Sequence, residues 1–328
     1  MNRRVYLQRL LSRLMLRATR IRFGPWKNWQ IRWFIRRYGV DMNIAEEPSP
    51  IAYPHFNAFF TRSLAAGARP IDRSAGGIVS PVDGAVSETG TIDANSIIRS
   101  KGHRFSLSEL FGGIFERSAL GTPDHRAAIS DGIDGDIEAL AELTKRFDRK
   151  GFERGHFAIF YLSPRDYHRI HMPITGHLRA TVHIPGSLFS VNPCAPRAVD
   201  GVFARNERVV SFFDTEIGPL AMVLVGALFV GCIEQTWCGV VNPSTRLRPS
   251  FRSYDRSAGA EPRIVIEQGQ EMGRFNMGSM VVMLLGNEQL RWHADSAVDP
   301  AADDGLRPTL EAGMQVRIGR RIGGVPPL

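Results

Sequence analysis

Six apolar runs of roughly strand length lie between residues 156 and 318, at 156–162, 177–184, 207–213, 220–233, 277–285 and 314–318. None approaches the roughly 20 apolar residues that a helix needs to cross a bilayer. The longest, 220–233, carries Gly226 and Gly231 and reads as buried strand. Residues 106–115 and 136–147 read as helices, and 295–308 reads as loop. The polar segment 117–154 reads as a surface excursion. With 43% hydrophobic and 23% charged residues in 328, the chain can bury a sizeable core. The expected class is α+β: a predominantly antiparallel β core, residues 41–328, forming a single domain behind N-terminal helices.

Charge separates the first 40 residues from the rest. The formal net charge is +8, yet no acidic residue precedes Asp41, while eleven Lys and Arg do. Leu7, Leu10, Leu11, Leu14 and Ala18 recur at helical spacing and share a face. Arg9, Arg13, Arg17 and Arg20 fall on a neighbouring one. Trp26, Trp29 and Trp33 make an aromatic stripe on a second short helix. Basic amphipathic helices with interfacial tryptophans suit an anionic membrane surface. Arginines interrupt each apolar run, which excludes a spanning helix and an uninterrupted secretory signal. The competing readings are a nucleic-acid arm, which would not need three tryptophans on one stripe, and a solvated helix packed on the domain; a membrane surface is the expected partner and no nucleic acid is. Cys194, Cys232 and Cys238 are odd in number and lack C-x-x-C spacing, which argues against a disulfide framework or zinc knuckle.

Three short stretches carry candidate chemistry. SPVDGAV at 80–86 frames Asp83 in a turn. YHRIHMP at 167–173 presents His168 and His171. Their spacing suits a metal only on a helix, and Pro164, Pro173 and the β-like surroundings oppose one, so no metal is expected. Acid–base work and structural hydrogen bonding remain open for both. FNMGSMVVMLL at 275–285 sets Gly278-Ser279 at the mouth of an apolar run. Asp83, His171 and Ser279 are the residue types of a hydrolytic triad. No G-x-S-x-G elbow surrounds Ser279. The glycine directly before it raises a second possibility, in which the electrophile is the chain's own Gly278 carbonyl. The alternatives are therefore an Asp-His-Ser hydrolase of lipid or peptide, a self-cleaving enzyme, and a non-catalytic membrane-bound scaffold.

The motifs FNAFFTRSL, ARPID, SPVDGAV, KGHRFSL, YLSPRDYHRIHMP, GSLFSVNP, FARNERVV, VGALFVGCIE and GQEMGRFNMGSMV follow one another between residues 56 and 281. In this the chain resembles the phosphatidylserine decarboxylase proenzymes. The resemblance implies self-cleavage at Gly278–Ser279, giving a β chain (1–278) and an α chain (279–328) capped by a pyruvoyl group made from Ser279. It implies His171 as the base for Ser279, Asp83 as the group that orients the ring, and His168 as the proton donor in lipid decarboxylation. The pyruvoyl ketone would serve as electron sink, with phosphatidylserine as substrate and phosphatidylethanolamine as product. A homodimer, peripheral on the cytoplasmic face of the inner membrane, is also implied. The chain departs from the family's usual Gly-Ser-Thr in carrying Met280.

Overall fold

The computed structural model describes residues 3–93, 97–100, 103–114, 137–147, 149–190, 201–227, 232–241, 248–254, 263–276, 279–293 and 309–326. Strands are numbered in chain order. The main sheet runs β12 (Ser250–Ser253), β7 (Gly176–Ile184), β8 (Arg208–Thr215), β9 (Gly218–Val225), β15 (Ser279–Leu285), β5 (His156–Leu162), β2 (Gly84–Thr91) and β17 (Gln315–Val316), with β13 (Val265–Ile266) also pairing β7. A four-stranded sheet runs β11 (Gly239–Val240), β10 (Ile233–Gln235), β14 (Glu271–Phe275) and β6 (Arg169–His171). A three-stranded sheet, β1 (Gly77–Val79), β18 (Arg321–Gly324) and β16 (Arg291–Trp292), and a hairpin, β3 (Ile97–Ser100) with β4 (His103–Ser106), complete the pairing. The pairings in the main sheet are antiparallel, and the class is α+β as expected.

Strand β15 sits at the centre of the main sheet, between β9 and β5. Met280 through Leu285 are each at most 2% exposed. Burial on both faces explains why this strand reads as an unbroken apolar run rather than an alternating one. The core around it takes in Phe157, Phe160, Phe212, Phe213, Val223 and Leu224.

Two expectations change. The run 220–233 is two strands, because β9 ends at Val225 in the main sheet and β10 begins at Ile233 in the four-stranded sheet. Gly226 leaves the ladder, its N–H donating to the Glu207 carbonyl. The segment 117–154 is also more than a surface excursion. Its described helix, Ile137–Phe147, buries Leu140, Leu143 and Phe147 in the main core, and Phe152 follows them. These residues recur at helical spacing, which the segment's average polarity hides. Of the helix expected at 106–115, the described residues show Leu107–Leu110, opened by a Ser106/Glu109 capping box and followed by Gly112 and Gly113 at positive φ.

Helix α1 (Arg3–Ala18) and helix α2 (Gly24–Tyr38) lie at the N-terminus. Pro25 opens α2, and Gly39, at φ 66°, closes it by donating to the Ile35 carbonyl at 2.8 Å. Ile31 and Phe34 of α2 pack on Tyr53, Phe59, Phe60 and Phe56 in a second apolar cluster. The latter three belong to the short helix α3 (Phe56–Phe60). The opposite face of α2 leaves Trp26, Trp29 and Trp33 40–58% exposed, and Leu10, Leu11 and Leu14 of α1 are 41–51% exposed. Among the described residues, no helix is long and apolar enough to cross a membrane.

Candidate active site

The site forms where the ends of three strands meet. Tyr161 of β5 pairs with Met280 on one side and with Ala85 on the other. One residue along, Ser279 pairs with Leu162, and Gly84 approaches the same point from β2. Strands lie about 4.8 Å apart, so the main chains at 279 and 84 are separated by about 10 Å. A Cβ on Gly84 would meet the Tyr161 carbonyl oxygen at 2.4 Å, so glycine is needed for this approach. It sets Asp83 at the strand mouth. Beyond Leu162 the chain turns, with Asp166 accepting from the Ser163 N–H and hydroxyl, both at 2.7 Å, and delivers Tyr167 and His168. The His168 carbonyl accepts from the Phe275 N–H at 3.0 Å, which places this turn beside the chain that leads to Ser279. Gly278 and the Ser279 side chain lie outside what the structure describes.

His168 is fully buried, its ring 4.0 Å from that of Phe60. Its Nδ1 lies 2.8 Å from the Asp166 carbonyl and must donate there, which leaves a lone pair on Nε2. That Nε2 has no partner among the described residues. Burial, with the Arg62 charge adding to it, pushes the His168 pKa down to about 3, so the ring is neutral at physiological pH. His171 has the same tautomer: Nδ1 lies 2.7 Å from the Gly269 carbonyl, and Nε2 lies 3.2 Å from the Tyr167 hydroxyl. Burial lowers its pKa as well, and burial raises that of Tyr167, whose phenol therefore stays protonated.

Asp83 and His171 are neighbours without a shared hydrogen bond. The His171 N–H donates to the Pro81 carbonyl at 2.9 Å, tying the two segments together. The Asp83 carboxylate, however, accepts from Arg69 Nε at 3.0 Å, from a second Arg69 nitrogen at 2.6 Å and from the Ile318 N–H at 2.9 Å. The Gly269 carbonyl orients the His171 ring, while Asp83 acts on it through its charge.

Residues 56–324 match the family model described as "Phosphatidylserine decarboxylase", and residues 8–39 match a second, described as "PSD". A phosphatidylserine decarboxylase proenzyme of Nitrosococcus oceani is 43% identical over 316 residues, covering 96% of this chain and 87% of that one. The proenzyme of Stutzerimonas stutzeri is 47% identical over 269 residues (82% and 79%), and that of Azotobacter vinelandii is 44% identical over 315 (96% and 93%). The chain belongs to the phosphatidylserine decarboxylase family.

The site has a fit for the pyruvoyl group that the resemblance implies. Residue 279 opens a central strand, and an unpartnered imidazole nitrogen stands on the adjoining segment. Sequence motifs alone did not single out four neighbours. Tyr167 caps His171. Asn57 of α3 donates to Asn276 Oδ1 at 2.7 Å, two residues before Gly278, and its own N–H donates to the Thr19 carbonyl beyond α1. Arg62, only 3% exposed, follows α3. Asn57 and Arg62 lie within the FNAFFTRSL motif, where polar residues among phenylalanines are the one local signal.

Proposed function

We propose that this chain cleaves itself between Gly278 and Ser279 and then converts phosphatidylserine to phosphatidylethanolamine with a pyruvoyl group made from Ser279. The observation that carries this reading is the family match over residues 56–324, which spans both sides of residue 279. The relatives' description as proenzymes supports processing.

In maturation, His171 Nε2 exchanges the Tyr167 hydroxyl for that of Ser279 and takes its proton. The Ser279 oxygen attacks the Gly278 carbonyl, the peptide C–N bond breaks, and an ester joins the two residues. Elimination across that ester, followed by hydrolysis with loss of ammonia, leaves the new α chain with its ketone. Bound in this way, the pyruvoyl group supplies an electron sink. His168 Nε2 relays a solvent proton to the carbon that has lost carbon dioxide. Its weak hold on a proton suits that transfer. Asp83 anchors the Ile318 segment of the future α chain to the β chain. The exposed apolar and basic surface of α1 and α2 supports a peripheral position on an anionic membrane. The homodimer and the inner-membrane location rest on the family resemblance.

Purified protein should release carbon dioxide from phosphatidylserine vesicles and leave phosphatidylethanolamine. His168→Ala should still be processed yet lose most of that activity. Hydrolysis of the lipid or a peptide by an uncleaved chain would instead favour the hydrolase reading.

A further inference from the structure

Three arginines are buried among the described residues, and two have complete partners. Arg208 donates to the carbonyls of Leu110, Asn206 and Glu109 at 2.6–2.8 Å. Arg179 pairs with Asp214. Arg62 differs. It makes one long hydrogen bond, 3.3 Å to the Arg165 carbonyl, and its guanidinium lies over the Phe59 ring at 5.6 Å. Its Nε has no acceptor, and no carboxylate pairs with it among the described residues. A buried guanidinium that no carboxylate directly pairs is costly, even with the charges of Asp83 and Asp166 acting on it from a distance, and it favours an anion as partner.

Two further polar atoms of this region have no partner among the described residues. One is His168 Nε2, whose ring packs on Phe60, two residues before Arg62. The other is Asn57 Oδ1, one helical turn before Phe60. Arg62 Nε is a donor, whereas His168 Nε2 and Asn57 Oδ1 are acceptors. A ligand that carries a carboxylate and an amine on one carbon satisfies both kinds of group. The serine head group is such a ligand, and its decarboxylated product lacks the carboxylate.

Resting on the decarboxylase reading above, we propose that Arg62 recognises the substrate's carboxylate and thereby separates phosphatidylserine from phosphatidylethanolamine. Arg62 holds the carboxylate through Nε, on a wall otherwise made of Phe59 and Phe60. When the bond from the α carbon to the carboxylate breaks, the electron pair stays with the carbon and a proton returns to it. Carbon dioxide leaves uncharged, Arg62 again lacks an anion, and the product is held less tightly than the substrate.

The test is Arg62→Met, with Arg62→Lys as partial rescue of the charge. Self-cleavage should match the parent. The melting temperature should not fall, because no ion pair is lost. KM for phosphatidylserine should rise about 10- to 100-fold, the range expected for one charge-assisted hydrogen bond, while kcat changes much less. Inhibition by phosphatidylethanolamine should be unchanged. A second readout needs no turnover: processed protein reduced with borohydride, titrated by calorimetry with glycerophosphoserine and glycerophosphoethanolamine. The parent should prefer the first, and Arg62→Met should bind the two alike. Equal weakening toward both ligands would assign Arg62 to the phosphate instead and overturn the proposal. A lower melting temperature with failed processing would make it structural, and unchanged discrimination would also overturn it. A parent that releases no carbon dioxide would overturn the decarboxylase reading itself, a result distinguishable from all of these.

Discussion

The N-terminal helices and the β body use the same apolar residues in opposite ways. In the body, Phe160, Val223 and Leu284 are wholly buried. On α1 and α2, Leu14, Trp29 and Trp33 are 50–58% exposed, and Arg32, Arg36 and Arg37 are exposed beside those tryptophans. A contiguous exposed apolar surface rimmed by charge marks a contact with something else, here on our reading a lipid surface. Burial therefore holds the body together, while the helical surface stays exposed. The two regions still meet through α3, whose Phe56, Phe59 and Phe60 pack on α2 and whose Asn57 reaches Asn276.

Stability should divide along this line. In the uncleaved Ser279→Ala chain, so that one polypeptide unfolds, Phe160→Ala should cost about 3–5 kcal/mol. Leu14→Ser should stay within about 0.5 kcal/mol. Denaturant titration of both measures the contrast, and equal losses would break it.

A smaller effect comes from pH and also belongs to the body. His168 falls from 6.5 to about 3 on folding. Above pH 6.5 the ring is neutral in both states and contributes nothing. Below 6.5 the unfolded chain takes the proton first, so stability falls toward pH 3 by about 1.4 kcal/mol per unit for this one group. His168→Gln should flatten that slope between pH 6.5 and 5 in thermal melts.

Vesicle binding should show the smallest change per residue. Arg32, Arg36 and Arg37 changed to Gln should each weaken binding to anionic vesicles by about 1 kcal/mol, mainly at low salt. Trp29→Ser with Trp33→Ser should weaken it at every salt concentration. Self-cleavage should survive both sets, as co-sedimentation and gel mobility would show. Unchanged binding in both would remove the membrane role from this surface.

Much of the body was legible in the sequence because strand periodicity is local. The run 156–162 is β5 as expected, and 277–285 contains β15. The break after Val225 was less legible, since an apolar run does not say in which sheet it lies. Leu140, Leu143 and Phe147 were hidden because composition was averaged over 117–154. At the site, motifs brought out Asp83, His168, His171 and Ser279. They could not show that Asp83 binds Arg69 and Ile318 or that Gly269 orients His171, because those contacts cross 14, 235 and 98 residues of chain. Arg62 became a candidate only once its missing partners could be seen.

The measurement that tests the account most directly is the intact mass of the purified protein beside its Ser279→Ala variant. The account predicts two chains from the parent, residues 1–278 and the 50 residues 279–328 (328 − 278 = 50), the smaller with a blocked pyruvoyl terminus. Ser279→Ala should remain one chain of 328 residues without decarboxylase activity. A parent of full-length mass that is nonetheless active, or a Ser279→Ala protein cut at the same bond, would contradict it.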